Sequence, residues 1–228
     1  KPQLSENIGA CARALKNFNF KKLVVIDPKP IFPNDKIFAT SVGAKNIIND
    51  CKSFQSLESA IKKTDFLIAT TSRFRNKNVK HIKVNDLNKI DYSKKVAFLF
   101  GSEASGLSNN EVSYANYVLQ IPTNPEFKSL NLSHSVIIIA QIISSILNSK
   151  VSDFSKSKKI NNASKKNVYR LATFVIDNLD KMNFFKPIEK KPIMLENLRS
   201  IFYKMELSEK EIRILSSVFA QFLKKKVN

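Results

Sequence analysis

Two glycines frame the first loop whose residues could support chemistry. Gly101 and Gly106 enclose the segment Gly-Ser-Glu-Ala-Ser-Gly, which follows an apolar run at residues 96–100 that we predict to be a β-strand. The chain has only four glycines, so we expect each of them to occupy a position where a Cβ atom would not fit. Ligands of parallel α/β sheets bind at the carboxyl ends of strands. The loop is therefore a candidate binding site, although an ordinary strand-to-helix turn would have similar residues.

A second group of small polar residues lies between positions 121 and 133. Ile121 ends a predicted strand and is followed by Pro-Thr-Asn-Pro, and the segment Ser-Leu-Asn-Leu-Ser at 129–133 opens a strongly apolar helix. Asn131 and Ser133 could position a ligand, or they could simply cap that helix. Two such strand-end loops together indicate a site more strongly than either loop alone.

A third set of polar residues stands near the start of the sequence. Asn7 opens a predicted helix, and Arg13 projects nearly two turns further along it, so the two do not share a helix face. Asn7 and Arg13 are candidate site residues, as is Glu103 of the glycine loop, but each could instead have a purely structural role. Asn7 could be an N-cap, Arg13 could form a surface ion pair, and Glu103 could be an acid in the first turn of a helix.

The elements that carry these residues alternate between strands and helices. We predict strands at residues 23–26, 66–70, 96–100 and 117–121, and helices at 7–18, 39–44, 57–62 and 132–147. This alternation predicts an α/β fold with a parallel sheet. The run VAFLF at 96–100 is apolar on both faces, which is typical of a central strand.

The second part of the sequence has a different character. Residues 148–165 are rich in Ser, Asn and Lys and indicate a linker, whereas residues 166–228 contain two apolar stripes at helical spacing. We therefore predict an α/β domain at 1–147, a linker at 148–165 and a small all-helical domain at 166–228.

Composition restricts the class of partner. The formal net charge of +19 favours a polyanion such as a nucleic acid, although a solvated lysine-rich surface would give the same balance. Cys11 and Cys51 lack metal-type spacing, so we expect neither a metal site nor a disulfide. No apolar run reaches the roughly 18 residues that span a bilayer, and no signal peptide is evident. We expect a cytoplasmic protein with no membrane partner.

Three strings at characteristic spacing carry a family resemblance: NIGACARAL, FGSEASGLS and IPTNPEFKSLNLSHSV. They resemble motifs one, two and three of the TrmH family in the SPOUT superfamily. The IPTNPE run is most similar to the TrmJ-like branch, which comprises tRNA (cytidine/uridine-2′-O)-methyltransferases that act in the anticodon loop. The resemblance covers residues 1–147, and the pattern from Leu198 to Phe202 in the tail is also similar to that branch.

The resemblance implies a parallel sheet with a C-terminal trefoil knot, a homodimer, and active sites that borrow residues from the partner chain. It also implies that knot loops hold S-adenosylmethionine in a bent form, mostly through backbone groups. The positions implied for this donor are Thr70, Thr71, Ser72, Gly101, Ile121, Ser129, Leu130 and Leu132.

The implied chemistry is displacement of a methyl group from a sulfonium by a ribose 2′-hydroxyl, most specifically at nucleotide 32 of tRNA. The resemblance assigns catalysis to Arg13, with Asn7, Glu103 and Asn131 in the same site. A guanidinium stays protonated in proteins, so we expect Arg13 to stabilise the emerging alkoxide electrostatically rather than act as a base.

Two loop arginines, Arg73 and Arg75, are expected to contact RNA. The sequence also departs from the family pattern in two places. Ser102 stands where the branch commonly has Arg, and a β-strand is expected before the first motif, where the sequence has little beyond Lys1 and Pro2.

Other functions stay open at this stage. The same chemistry could act on ribosomal RNA, or the chain could be an RNA-binding homologue without donor binding. The second possibility is disfavoured because Asn7, Arg13, Glu103 and Asn131 are all present. A Rossmann dehydrogenase is set aside, because no G-x-G-x-x-G follows a strand near the start.

Overall fold

The structure is a computed structural model, and it describes residues 1–73, 79–150 and 162–224. The elements in chain order are α1 (Ser5–Asn17), β1 (Val24–Ile26), α2 (Asp35–Thr40), α3 (Lys45–Asn49), β2 (Lys52–Phe54), α4 (Leu57–Ile61), β3 (Phe66–Thr70), β4 (Lys80–Ile82), a 3-10 helix (Val84–Lys89), β5 (Val96–Leu99), α5 (Asn109–Val112), β6 (Tyr117–Leu119), α6 (Leu132–Lys150), α7 (Lys165–Lys181), a second 3-10 helix (Ile188–Lys190), α8 (Lys191–Lys204) and α9 (Glu209–Lys224).

Four of the strands form one parallel sheet in the order β4-β6-β3-β5, and β1 pairs with β2 in a separate parallel pair. The predicted α/β fold with a parallel sheet is confirmed. Side-chain caps set several boundaries: Ser56 accepts from the Ser59 N–H at the start of α4, and Ser108 with Glu111 forms a capping box at the start of α5. The trefoil knot stays a prediction.

The prediction that residues 96–100 form a central strand is wrong. Strand β3 is central and buried along its whole length, whereas β5 lies at the edge of the sheet as described and is half-buried throughout. Strand β5 is apolar on both faces because each face packs against a different cluster. Val96 and Phe98 pack toward the α6 side of the sheet, and Ala97 and Leu99 pack toward the opposite side.

The helix expected at 39–44 is also misplaced. It begins earlier, because Asn34 accepts a hydrogen bond from the Ile37 N–H and caps α2, and it ends at Thr40. The next residues form a turn in which Gly43 has a φ of 75°, a left-handed conformation that favours glycine.

Helices α1 and α6 pack together beside the sheet. Cys11 and Ala14 of α1 contact Val136 in one cluster, and Ile139 and Ile143 of α6 pack in another cluster with Ile68. This packing places the start of α1 beside the start of α6, where two of the sequence motifs lie.

The other side of the sheet is covered by the helical tail. Val168 and Leu171 of α7 and Tyr203 of α8 belong to the same buried cluster as Leu67 and Val118 of the sheet. The tail thus shares a core with the α/β part, while the domain boundaries at 147 and 166 stay a prediction. Across residues 1–73, 79–150 and 162–224, none of the helices combines the length and apolarity needed to cross a membrane.

Candidate active site

A cleft opens where β3, β5 and β6 end. Its walls come from the turn after β3, the glycine loop after β5 and the segment between β6 and α6. All eight residues that the sequence predicts to hold the donor line this cleft: Thr70, Thr71, Ser72, Gly101, Ile121, Ser129, Leu130 and Leu132. The structure therefore brings the three loops together, while the role of each residue remains a prediction.

The glycine loop folds back tightly on itself. The Gly106 N–H donates to the Ser102 carbonyl at 2.9 Å, and Gly106 has a φ of 68°. A Cβ on Gly101 would lie 2.3 Å from the Gly106 carbonyl carbon and 2.4 Å from the Leu107 nitrogen. Gly101 is thus required by the loop's own backbone, in addition to any need for a ligand to approach.

The turn after β3 is fixed from both sides. The hydroxyl of the buried Thr70 donates to the Leu99 carbonyl of β5 at 3.0 Å, and the Thr71 N–H donates to the Leu119 carbonyl of β6 at 3.1 Å. The Thr71 hydroxyl accepts from the Arg73 N–H at 3.1 Å. Arg73 lies on the cleft wall, and Arg75 lies outside the described residues.

Three of the predicted catalytic residues form one hydrogen-bonded chain. The Asn7 amide donates to Glu103 Oε1 at 2.8 Å, and the Asn131 amide donates to Asn7 Oδ1 at 3.2 Å. Glu103 also accepts from the backbone N–H groups of Gln3 at 2.9 Å and Leu4 at 3.3 Å. The starts of α1 and α6 are thereby tied to the glycine loop.

These contacts set the charge state of Glu103. Partial burial raises the pKa of its carboxyl group, but hydrogen bonds from Asn7 and from the backbone at Gln3 and Leu4 outweigh that effect. The net result is a pKa below the ordinary value of 4.5, so Glu103 carries a negative charge at neutral pH.

Asn131 serves two neighbours at once. Its Oδ1 accepts from the Ser133 N–H at 2.8 Å and from the Ser133 hydroxyl at 2.7 Å, while its amide contacts Asn7. Asn131 therefore caps the start of α6, as one interpretation of the sequence has it, and it also belongs to the polar chain that reaches the cleft wall at Glu103.

Arg13 lies apart from the other three. Of the four predicted catalytic residues only Glu103 lines the cleft, and Asn7 is buried behind it. Arg13 differs in that its side chain is exposed on α1, while its neighbours Cys11, Ala12 and Ala14 face the protein interior. Glu103 accepts from Asn7 and from the backbone rather than from Arg13. Within one chain, Arg13 is directed to solvent.

Several cleft residues were not predicted from the sequence. Thr123, Lys128 and Ser135 all line the cleft, as does Ser105 of the glycine loop. Each lies within three positions of a predicted residue in the sequence, which is a signal that could have found them. Within the described part of the chain, no cluster of three or more His, Cys, Asp or Glu side chains is placed to hold a metal ion.

Comparison with known proteins gives consistent matches. The profile of the SpoU rRNA Methylase family matches residues 1–141. The tRNA (cytidine-2′-O-)-methyltransferase TrmJ of Methanocaldococcus jannaschii is 27% identical over 224 residues, covering 96% of this chain and 95% of that protein. The corresponding enzyme of Sulfolobus acidocaldarius is 37% identical over 142 residues, 61% of this chain and 60% of that protein.

Solved structures are consistent with these sequence matches. TrmJ from Z. mobilis ZM4 superposes with a TM-score of 0.87 at 28% identity, covering 97% of this chain and 96% of that chain. The SpoU methyltransferase AviRb from Streptomyces viridochromogenes, solved in complex with the cofactor AdoMet, has a TM-score of 0.52 at 19% identity, covering 65% of this chain and 58% of that one. At that identity, the second match supports the fold alone.

Proposed function

The chain belongs to the SpoU rRNA methylase family, and we propose that it methylates a ribose 2′-hydroxyl of tRNA with S-adenosylmethionine as the methyl donor. The observation that carries the proposal is the cleft at the ends of β3, β5 and β6, where loops from three separate motifs meet. The TrmJ proteins of Methanocaldococcus jannaschii and Z. mobilis, which match over nearly the whole chain, support tRNA as the substrate.

The cleft has the character that a bound S-adenosylmethionine requires. Its walls consist largely of small residues and loop backbone, as at Gly101 and Ser129, so main-chain groups can approach a ligand closely. Leu130 and Leu132 add apolar surface. When bound, this group supplies a methyl on a positively charged sulfur, which makes the methyl open to attack by an oxygen nucleophile.

The protein must then make a weak nucleophile reactive. A ribose hydroxyl attacks poorly unless its proton is removed or its developing negative charge is stabilised. We assign the second task to Arg13, whose guanidinium would lie against the developing negative charge on the oxygen and a neighbouring phosphate, while the hydroxyl proton would pass to water. Glu103 and Asn131 would position the ribose, and the hydrogen bonds of the buried Asn7 to both would keep them in place.

Arg13 requires a second copy of the chain. Its side chain points to solvent rather than into the cleft of its own chain, which supports a homodimer in which Arg13 of one protomer completes the partner's site. The exposed positions of Arg73 and Lys128 at the same cleft support an anionic substrate such as RNA. Nucleotide 32 of the anticodon loop is our specific target, with ribosomal RNA as the alternative.

Mixing two inactive variants tests both the site and the dimer. Arg13→Ala removes the guanidinium, and Gly101→Val destroys the donor loop of its own chain. Each homodimer should be inactive toward tRNA. Unfolding the two together and refolding them should restore about a quarter of wild-type activity per protomer, because half of the dimers are mixed and each of those has one intact site. Light scattering that finds a monomer at micromolar concentration, or a mixture that stays inactive, would refute the shared site.

A further inference from the structure

The segment between β6 and α6 makes a sharp turn at the rim of the cleft. Thr123 and Lys128 both line the cleft, and the chain reverses between them. The Phe127 N–H donates to the Asn124 carbonyl at 3.0 Å, and the Glu126 N–H donates to Asn124 Oδ1 at 3.0 Å. Pro125 fixes its own φ within the same turn. The backbone of the turn is held by its own hydrogen bonds, which sets the direction in which the Phe127 side chain leaves the main chain.

Phe127 is the aromatic side chain that this turn presents. It is 75% exposed, and its sequence neighbour Lys128 lies on the cleft wall. A single exposed aromatic residue is common on protein surfaces and carries no argument by itself. The position of Phe127 is informative, because an aromatic ring at the rim of a reaction site can contact whatever enters that site.

The chemistry defines what enters. In the proposed reaction the 2′-hydroxyl of one nucleotide must reach the cleft, and the base of that nucleotide is attached to the adjacent ribose carbon. The base therefore stays near the rim when the hydroxyl is inside. Every nucleobase has a π-face that stacks on aromatic side chains, and such stacking does not depend on sequence.

The charges around the turn favour a base over a phosphate at Phe127 itself. Glu126, the residue before Phe127, is exposed and outside the cleft lining, so its carboxylate would repel a phosphate there, whereas Lys128, the residue after Phe127, and Arg73 line the cleft. A neutral, flat group fits the ring best.

We propose that Phe127 is a stacking residue for the base of the nucleotide whose ribose is methylated. The proposal rests on the proposed function, because it requires RNA in the cleft. Phe127 would orient the nucleotide by its base while the polar chain of Asn7, Glu103 and Asn131 holds its ribose.

The test pairs protein variants with an altered RNA. The proteins are the wild type, Phe127→Leu, which keeps apolar volume without an aromatic ring, and Phe127→Tyr, which keeps the ring. The RNAs are a tRNA with a mapped methylation site and the same tRNA with an abasic ribose at that nucleotide. We expect Phe127→Leu to lower kcat/KM on intact tRNA about 5- to 100-fold, the range of one lost stacking contact. Phe127→Tyr should stay within about twofold of the wild type, because it keeps the stacking face.

The abasic RNA shows whether the ring and the base act on each other. Wild-type protein should lose a similar factor on abasic tRNA, and Phe127→Leu should lose nothing further, since the same contact is already gone. As a matched control, Phe222→Leu changes another exposed phenylalanine, on α9, and should respond to removal of the base as the wild type does. The dissociation constant of S-adenosylmethionine should be unchanged in all variants.

Three results would overturn the proposal. Phe127→Leu could match the wild type, its loss could multiply with that of the abasic site, or it could weaken the dimer in light scattering, which would assign the ring to a contact between copies. Failure of the proposed function would look different: the wild-type protein would not bind the donor or would not methylate the intact tRNA.

Discussion

The side-chain amide of Asn7 donates a 2.8 Å hydrogen bond to Glu103, a residue 96 positions away in the sequence. Asn131 extends the chain from the other side of Asn7 at 3.2 Å. The first, second and third motifs are therefore one hydrogen-bonded unit, and a change in any of the three residues should affect the positions of the other two.

Glu103→Gln should lower stability in a pH-dependent way. The folded protein holds the pKa of Glu103 below 4.5, so its contribution is present above about pH 4.5 and is lost as pH falls through the lower folded value. The Gln variant should be less stable by about 1 kcal/mol at neutral pH, because a hydrogen bond to a charged group contributes about 1.5–3 kcal/mol and solvent screening reduces it for this partly exposed carboxylate.

Urea denaturation between pH 3 and pH 7 measures this difference. The gap in free energy of unfolding between wild type and Glu103→Gln should shrink in acid. Glu189→Gln, at an exposed position in the tail, is the matched control and should change stability little at any pH. A gap for Glu103→Gln that stays constant with pH would contradict the role assigned to the carboxylate.

Gly101→Ala should impair donor binding by displacing the glycine loop. The new Cβ would meet the backbone of Gly106 and Leu107 at 2.3–2.4 Å, and backbone atoms cannot move aside as a flexible side chain can. Overpacking of this kind costs about 1–3 kcal/mol, so we expect the donor dissociation constant to rise about tenfold or more.

Gly43→Ala is the control for the loop. Gly43 has a φ of 75° but open space around it, so the change costs about 1 kcal/mol of stability from backbone strain and leaves donor affinity unchanged. Calorimetry with S-adenosylmethionine separates the two variants. Equal donor affinity for Gly101→Ala and the wild type would show that the loop does not shape the donor site.

Lys165→Met should stabilise the protein, and most at low pH. Lys165 is fully buried, its ammonium group donates to Asn116 Oδ1, and burial lowers its pKa to about 7 from 10.5, with Glu206 and Asp65 partly opposing the shift. Between pH 7 and 10.5 the unfolded chain binds more protons at this position, so wild-type stability rises with pH across that window.

The Met variant lacks this titration. Its free energy of unfolding should exceed that of the wild type by on the order of a few kcal/mol at pH 6, and this difference should shrink toward pH 10. Denaturation of both proteins at several pH values measures this difference. The two proteins have all their other titratable groups in common, so those contributions cancel. A variant that is less stable than the wild type at pH 6 would show that the hydrogen bond to Asn116 outweighs the desolvation of the charge.

Exposed cations on the helical tail should contribute to tRNA binding. Lys166 and Arg170 project from α7 into solvent, and replacing both with Gln keeps the buried face of α7 intact. Deleting the tail would be a poor test, because it would uncover the core shared with the sheet. We expect weaker tRNA binding. The slope of the logarithm of the binding constant against the logarithm of the salt concentration should become less steep by about one for each lost phosphate contact.

The matched control is Lys45→Gln with Lys52→Gln, two exposed lysines of the α/β part. That pair should leave the salt dependence nearly as it is in the wild type. If the two pairs of changes weaken tRNA binding equally, the tail has no special role, and the effect reflects net charge alone.

The sequence was most informative about the strand ends. Residues 66–70 and the loops beginning at Gly101 and Ile121 could be identified because apolar runs followed by small polar residues are local patterns, and the structure gathers these loops at one cleft. The contact between Asn7 and Glu103 could not be derived in that way. It depends on how α1 packs on α6, which no local pattern encodes.

Burial was harder to predict than element type. The apolar residues of β5 indicated a central position, yet strand order depends on long-range pairing, and the strand lies at the edge. Met205 and Phe222 belong to predicted apolar stripes but are 46% and 68% exposed. Lys165 is the opposite case, because a lysine is expected at the surface and this one is buried against Asn116 and the ring of Tyr203.

Mapping of 2′-O-methylation tests the central claim most directly. Total tRNA and ribosomal RNA from a strain lacking this gene would be incubated with S-adenosylmethionine and either the wild type or Arg13→Ala, and the products would be analysed by nuclease digestion and mass spectrometry. We predict one 2′-O-methylated nucleoside in tRNA, at position 32, with the wild type and none with Arg13→Ala. Methylation of a base, or of ribosomal RNA in preference to tRNA, would contradict the account.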